Sequence, residues 1–302
     1  MKLLKFAAID IGSNAVRLLF TNVIEDEKKT TFRKSSLIRM PIRLGEDSFN
    51  SGIIPEKKIA KLVQTMLAFK YLMEVQDVVA FRACATSAMR EASNGAEVVK
   101  RIKMESGIEV EIIEGKEEAE IIYSNQIVEM INDSNPYLYV DVGGGSTEIS
   151  LFANKKRIAT QSFDVGTIRI LDNKVGKKDF AMMKEWIKDL NFNDKEVKLI
   201  GSGGNINKIF KISGIKENQP LQYKDLEEIY KFISFYNIEE RIKVLGMNPD
   251  RADVIIPASE IFLKIMKWSG ATQVIVPTIG VSDGIVRQLY KEYIKHKKNG
   301  LA

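Results

Sequence analysis

The chain has one cysteine, one histidine, seven prolines and no long apolar run in its 302 residues. Each scarcity removes a class of function. A lone Cys84 forms no internal disulfide and builds no cysteine-cluster zinc site. The only histidine, His296, lies in a basic tail (KEYIKHKKNG), which makes Ser-His-Asp and Cys-His catalysis and a histidine phospho-carrier poor readings. Acid–base chemistry then falls to carboxylates, and any metal must accept oxygen ligands. No stretch approaches the ~20 apolar residues of a membrane span. The opening MKLLKFAAIDIG has too short an apolar part for a signal peptide, so the cytoplasm is the expected location.

Charge of one sign is also modest. Forty-five basic residues against forty acidic ones leave a net charge of +5. That suits a polyanionic substrate locally but is not the signature of a dedicated nucleic-acid binder. The lysines (Lys155-Lys156-Arg157, Lys177-Lys178, Lys297-Lys298) are scattered, without interleaved aromatics that would stack single-stranded bases. A hydrophobic share of 45% with 28% charged residues is that of a globular protein, long enough for two domains.

What is present is a sentence written twice. Residues 8–20 read AIDIGSNAVRLLF and residues 139–152 read YVDVGGGSTEISLF. Each is an apolar strand ending in Asp, a glycine turn, and a second strand. Asp10 matches Asp141 and Gly12 matches Gly143, an offset of 141 − 10 = 131 residues. That spacing is too long for a solenoid and right for a duplicated domain. Glycine lets successive backbone N–H groups converge on one anion. Gly143, Gly144, Gly145, Ser146 and Thr147 form the fuller loop; Gly12, Ser13 and Asn14 form the shorter one. An Asp ahead of each turn is poorly placed to touch phosphate but well placed to hold hydrated Mg²⁺. The bland alternative is two β-hairpins with glycine turns and solvated Asp residues. Two such loops facing across a cleft would grip a phosphate chain and its metal ion.

Strand and helix patterns alternate, which predicts an α/β fold. The spacing predicts strands over 5–24 (a hairpin), 30–39, Asp77–Phe81, Val110–Ile113, Leu138–Val142, 147–153, 156–163, Val197–Ile200 and Gln273–Val276. Helices are predicted from Pro55, near Ala85–Ala92, over Ala96–Ser106, from about Lys116, near Phe180–Asp189, over 223–235, 238–245 and 250–268, and from Ser282. Between the two loops, Ile113-Glu114-Gly115-Lys116-Glu117-Glu118 turns from strand into helix. Acidic residues there complement the helix dipole without any function. Alternatively one carboxylate orients a water toward a terminal phosphorus, and Glu148 after the glycine turn is a second carboxylate toward the same space.

AIDIGSNAVRLLF, RACATSAMREASN (82–94), IIEGKEEAEIIYSN (112–125), VDVGGGSTEISLF (140–152) and IGSGGNINKIF (200–210), in this order, resemble the exopolyphosphatase / guanosine pentaphosphate phosphatase (Ppx/GppA) family. That resemblance, from the first strand to about Gln288, implies two ribonuclease-H-like (actin-like ATPase) domains flanking a cleft. The expected division is 1–124 plus 286–302 for the first domain and 125–285 for the second. It implies Glu118 as general base with Glu117 its neighbour, and Asp10, Asp141 and Glu148 as ligands of Mg²⁺. It further implies phosphate contacts from Gly12, Ser13, Asn14, Arg90, Gly143, Gly144, Gly145, Ser146 and Gly203, with Arg17 a weaker candidate. Either arginine is alternatively an ordinary ion-pair partner. The implied reaction is hydrolysis of terminal phosphoanhydride bonds of inorganic polyphosphate. The alternatives are 5′-phosphate removal from guanosine pentaphosphate, a small-molecule kinase, and a non-catalytic nucleotide or alarmone sensor or actin-like filament protein. A homodimer is in keeping with the family; nucleic-acid and membrane partners are not expected. Two departures stand out: Glu114-Gly115 replaces the family's Ser-Gly, and Asn205 stands where a small hydroxyl residue is common. The chain also resembles a short form, without the helical His-Asp domain of longer relatives.

Overall fold

The computed structural model describes residues 1–26, 29–122, 135–192, 195–216, 219–277 and 280–298. The chain divides into two compact units, Met1–Gln126 with Val281–Ala302, and Ile127–Gly280. The boundary expected at 124/125 and the tail of the fourth motif, residues 123–125, lie outside the described residues.

Unit 1 is built on a five-stranded sheet. β1 (Lys2–Ile11), β2 (Val16–Glu25) and β3 (Thr30–Met40) form an antiparallel meander, and β4 (Ala80–Ala85) and β5 (Val110–Ile112) extend it in parallel, in the order 3-2-1-4-5. Phe6 to Ile11 are all buried, as expected of a strand covered on both faces. Helices α1 (Leu44–Ser51), α2 (Glu56–Val75), α3 (Ser87–Glu91), α4 (Gly95–Ser106) and α5 (Gly115–Ile122) follow the meander and its parallel strands. Helix α2 forms because Ile59, Leu62, Val63, Met66, Phe69 and Met73 recur at three- and four-residue spacing and bury one stripe.

Unit 2 repeats the plan. β6 (Tyr137–Val142), β7 (Thr147–Ala153) and β8 (Lys156–Phe163) form the meander, β9 (Lys198–Ser202) and β11 (Gln273–Ile275) run parallel to β6, and β10 (Leu221–Gln222) closes the edge. The order 8-7-6-9-11-10 contains the same 3-2-1-4-5 succession as unit 1. Its helices are α6 (Thr167–Leu171), α7 (Lys177–Asp189), α8 (Gly204–Ser213), α9 (Tyr223–Phe235), α10 (Ile238–Lys243), α11 (Pro249–Ala252) and α12 (Ile255–Ser269). Helix α12 is the core helix of this unit, with Ile255, Ala258, Ile261, Phe262, Ile265 and Met266 fully buried. The last helix, α13 (Val281–Lys298), belongs to unit 1 and packs on β1, β4 and α5. Each unit is therefore the ribonuclease-H-like α/β sheet expected from the motifs.

Three boundaries differ from expectation. The strand predicted at Asp77–Phe81 begins only at Ala80, because Asp77 takes a left-handed φ of 51° and closes the turn after α2. The helix predicted over 250–268 is two helices, broken where the Asp253 side chain accepts the Val254 N–H. The GSGGN run is no free loop: its first two residues end β9 and its fourth starts α8. No helix among the described residues is long and apolar enough to cross a membrane.

Cys84 sits mid-β4, fully buried beside Asp10 in register, and burial pushes its thiol up to about 12. The thiol therefore stays protonated and shielded at neutral pH. Native protein is expected to resist alkylation by iodoacetamide at pH 8, and denatured protein to react at one site; rapid labelling of the native form would contradict the packing of β4.

Candidate phosphate-binding and carboxylate site

The duplicated motif folds into the same turn in each unit. Gly12 N–H donates to the Ala15 carbonyl at 3.1 Å, and Gly143 N–H donates to the Ser146 carbonyl at 2.9 Å. A Cβ at either glycine would press on that carbonyl, at 3.3 Å from Ala15 O and 3.2 Å from Ser146 O. The offset is again 131 residues, 12 to 143 and 15 to 146.

What orients these turns is the helix that follows the third strand. In unit 1, Gly45 N–H in the first turn of α1 donates to Ser13 O at 2.9 Å, and Arg43 N–H donates to Asn14 O at 3.0 Å. In unit 2, Thr167 and Ile168 N–H of α6 donate to Gly143 O at 3.0 Å and Gly144 O at 2.9 Å. Arg169 Nε donates to Gly145 O at 2.7 Å. Ser13 and Gly144 are equivalent under the 131-residue offset, and each accepts from the second residue of its helix. Helix N-termini carry N–H donors without intrahelical partners, and the turn carbonyls satisfy them. In a planar trans peptide the C=O and N–H point opposite ways. With carbonyls 143, 144 and 145 turned to α6, the N–H groups of Gly144, Gly145 and Ser146 face the other side, as do those of Asn14 and Ala15 in unit 1. A row of N–H groups on one side of a turn is an anion cradle.

Gly166 makes this packing possible. A Cβ there would lie 2.3 Å from Gly144 O and 2.3 Å from Gly145 C, both backbone atoms. Arg169, 14% exposed at its side chain, lies against the same loop and 3.8 Å from Asp164. Neither Gly166 nor Arg169 was identified from the motifs. The available signal was the Gly-Thr pair one strand beyond GGGST, which a five-residue helix is too short to reinforce by periodicity.

The carboxylates differ between the units. On β1 and β2, Asp10 lies opposite Arg17, and Arg17 Nη1 donates to Asp10 Oδ2 at 2.7 Å. Asp10 is buried, so loss of Arg17 would cost about 3 kcal/mol by leaving a carboxylate uncompensated. The equivalent pair on β6 and β7 is Asp141 opposite Glu148, two acids. Asp141 Oδ2 accepts from Ser202 Oγ at 3.1 Å and Tyr139 OH at 3.3 Å. Glu148 is buried, and its Oε1 accepts from Ser146 Oγ at 2.5 Å and Ser162 Oγ at 3.0 Å. Gly203, φ 107°, lies where a Cβ would be 3.2 Å from Asp141 Oδ1. Unit 2 thus gathers Gly143, Gly144, Gly145, Ser146, Glu148, Asp141 and Gly203 at one end of β6. Two carboxylates among hydroxyl oxygens fit a hard divalent ion such as Mg²⁺, which takes one or two carboxylates and keeps water. Among the described residues no group of three or more His, Cys, Asp or Glu side chains gathers to hold a metal.

In unit 1, Ser13 Oγ and Ser87 Oγ share a hydrogen bond at 2.9 Å, joining the first loop to α3. Arg90 on α3 donates to Ile113 O at 2.7 Å and lies 3.8 Å from Glu114, so it faces the β5–α5 turn. Glu114 is mostly exposed, which directs its extra charge toward Arg90 and solvent. On α5, Glu118 is half-buried, with its N–H on Glu114 O, whereas Glu117 is exposed and bonded to Arg82 at 3.0 Å. Asn205 is buried at the second position of α8.

Two ribonuclease-H-like units, each with an Asp-led glycine turn whose amides face one side, define an α/β protein that grips phosphate through backbone N–H groups. The chain belongs to the Ppx/GppA phosphatase family, whose model matches residues 23–292. It is 28% identical over 298 residues to the bifunctional 3-dehydroquinate synthase/phosphatase of Fusobacterium nucleatum, covering 89% of this chain but only 44% of that longer protein. Exopolyphosphatase 2 of Mycobacterium tuberculosis is 24% identical over 96% of this chain and 99% of its own. Among solved structures, an exopolyphosphatase from Cytophaga hutchinsonii superposes with a TM-score of 0.82 at 24% identity, over 95% of this chain and 98% of that one. The Ppx/GppA member from Aquifex aeolicus gives 0.76 at 24% identity, over 96% and 99%.

Substituting Gly166→Ala is expected to push α6 off the glycine loop and lower the stability by about 2 kcal/mol. Calorimetry of purified variant and parent checks this; an unchanged unfolding temperature would show that the loop is not anchored from that side.

Proposed function

We propose that this protein is an Mg²⁺-dependent exopolyphosphatase that hydrolyses the terminal phosphoanhydride bond of inorganic polyphosphate. The observation that carries this reading is the unit 2 loop, with its carbonyls bound to α6 and its amides turned to the other side beside two opposed carboxylates. Phosphoryl transfer needs positioning and charge neutralisation more than covalent chemistry. The N–H groups of Gly144, Gly145 and Ser146 stabilise charge on the phosphoryl oxygens. Asp141 and Glu148 are the residues that would hold Mg²⁺, which when bound neutralises further phosphate charge. Asp10, held by Arg17, and Ser13 and Asn14 of the first loop form the corresponding grip of unit 1.

Glu118 is the water-positioning base. Its carboxylate accepts a proton from the attacking water as the oxygen adds to the terminal phosphorus. The bond to the bridging oxygen breaks, and orthophosphate and a chain shorter by one phosphate leave. Family membership supports a phosphatase, and named exopolyphosphatases among the relatives support polyphosphate as substrate.

Purified protein with Mg²⁺ is expected to release phosphate from long-chain polyphosphate faster than from guanosine pentaphosphate or ATP. Glu118→Gln should lower kcat by about 10²–10⁴-fold with substrate binding retained. A large loss of binding instead would remove the water-positioning role. Asp141→Ala should raise the Mg²⁺ needed for half-maximal rate by about tenfold or more. Unchanged metal dependence would take Asp141 out of the ligand set. Preference for guanosine pentaphosphate would move the assignment to the alarmone phosphatase reading.

A further inference from the structure

Helix α5 carries two adjacent acids that its geometry separates. Successive helical residues differ by ~100° in direction, so Glu117 and Glu118 cannot face the same partner. Glu117 is on the face that meets a four-way junction. Arg82 on β4 donates from Nη2 to Glu117 Oε1 at 3.0 Å, from Nη1 to Gln288 Oε1 at 3.0 Å, and to both Glu111 oxygens, the shortest at 2.7 Å. One planar guanidinium thereby ties β5, α5 and α13 to β4.

The same two helix faces meet again one turn away. Ile121 follows Glu117 by four residues on α5, and Gln288 follows Gly284 by four on α13, so each pair shares a face. A Cβ on Gly284 would lie 2.1 Å from Ile121 O and 2.7 Å from Ile121 C. The helices touch backbone to backbone at Gly284 and are joined through Arg82 at Gln288. An exposed ion pair alone is worth little, but this one has a partner in every element around it and Arg82 itself is only 18% exposed.

We propose that Arg82, Glu117 and Gly284 are positioning residues that seat α5 between β4 and α13, and so aim Glu118. Glu117 thus serves the seat, not the reaction. This rests on the assignment of Glu118 as the water-positioning base.

The test measures two things on the full chain. Amide hydrogen exchange across α5 reads the seat without reference to activity: Gly284→Ala and Arg82→Gln are expected to speed exchange in α5 while the peptides of unit 2 keep their protection. Phosphate release from polyphosphate with Mg²⁺ reads the aim. A displacement of about 1 Å at a reacting group costs roughly 10²-fold, so Gly284→Ala should lower kcat on that scale with KM within about twofold of the parent. Added to Glu118→Gln, either variant or Glu117→Gln should cause no further loss, because a group acting only through Glu118 has nothing left to act on.

Unchanged α5 exchange in the variants overturns the seat. Full additivity with Glu118→Gln overturns its link to the base and makes Glu117 an independent participant. Should Gly284→Ala fail to fold, Arg82→Gln and Glu117→Gln carry both arms. If the parent protein released no phosphate, the function would be wrong, and the exchange arm alone would still decide whether α5 is seated in this way.

Discussion

A planar peptide that turns its carbonyl one way must turn its N–H the other, and the candidate site depends on that constraint. In each unit the helix after the third strand spends its unpaired N-terminal donors on the carbonyls of the glycine turn. One interaction therefore satisfies the start of the helix and aims the turn. Glycine is required at 166 because backbone meets backbone there, at a distance that admits no side chain. The amides are oriented before any ligand arrives, so little reorganisation is left for binding or for the charge that develops on phosphorus.

The two halves share this architecture and differ in charge. Position 17 and position 148 are equivalent by offset and by register, each facing the strand-end Asp. One is Arg and the other Glu. The first half meets its own carboxylate with a guanidinium; the second sets acid beside acid among serine and tyrosine hydroxyls. The shorter, compensated loop and the longer loop beside two acids are suited to different parts of one task, holding phosphate and drawing in a cation.

Much of this was legible in the sequence because the repeat carries its own alignment. The alternation in β1, β2, β7 and β8, the Asp positions and the glycine turns all follow from 8–20 and 139–152 laid together. The change from Arg17 to Glu148 was also visible there, but its meaning needed the strand register. Helix α8 was hidden by the glycines of GSGGN, although Ile206, Ile209 and Phe210 have the spacing of a buried helical face. Helices α1 and α6 are too short for a periodic signal, and the reason for their existence is tertiary: each caps a turn. The division of labour between Glu117 and Glu118 was not legible, because Arg82 and Gln288 are brought to α5 from 35 residues before and 171 residues after Glu117.

Unit 1 is discontinuous: α13 returns to it after the whole of unit 2. Phe6, fully buried in β1, has Tyr290 and Tyr293 of that helix edge-on to its ring at 5.9 and 5.7 Å. On a ribosome, which delivers the chain from its N-terminus, the order of completion is therefore reversed. The second unit has all its strands and helices in hand while the first still shows the bare face of its central strand. The half that is begun first is finished last, and a nascent chain must keep that apolar face from other partners for the time it takes to make some 155 residues after α5.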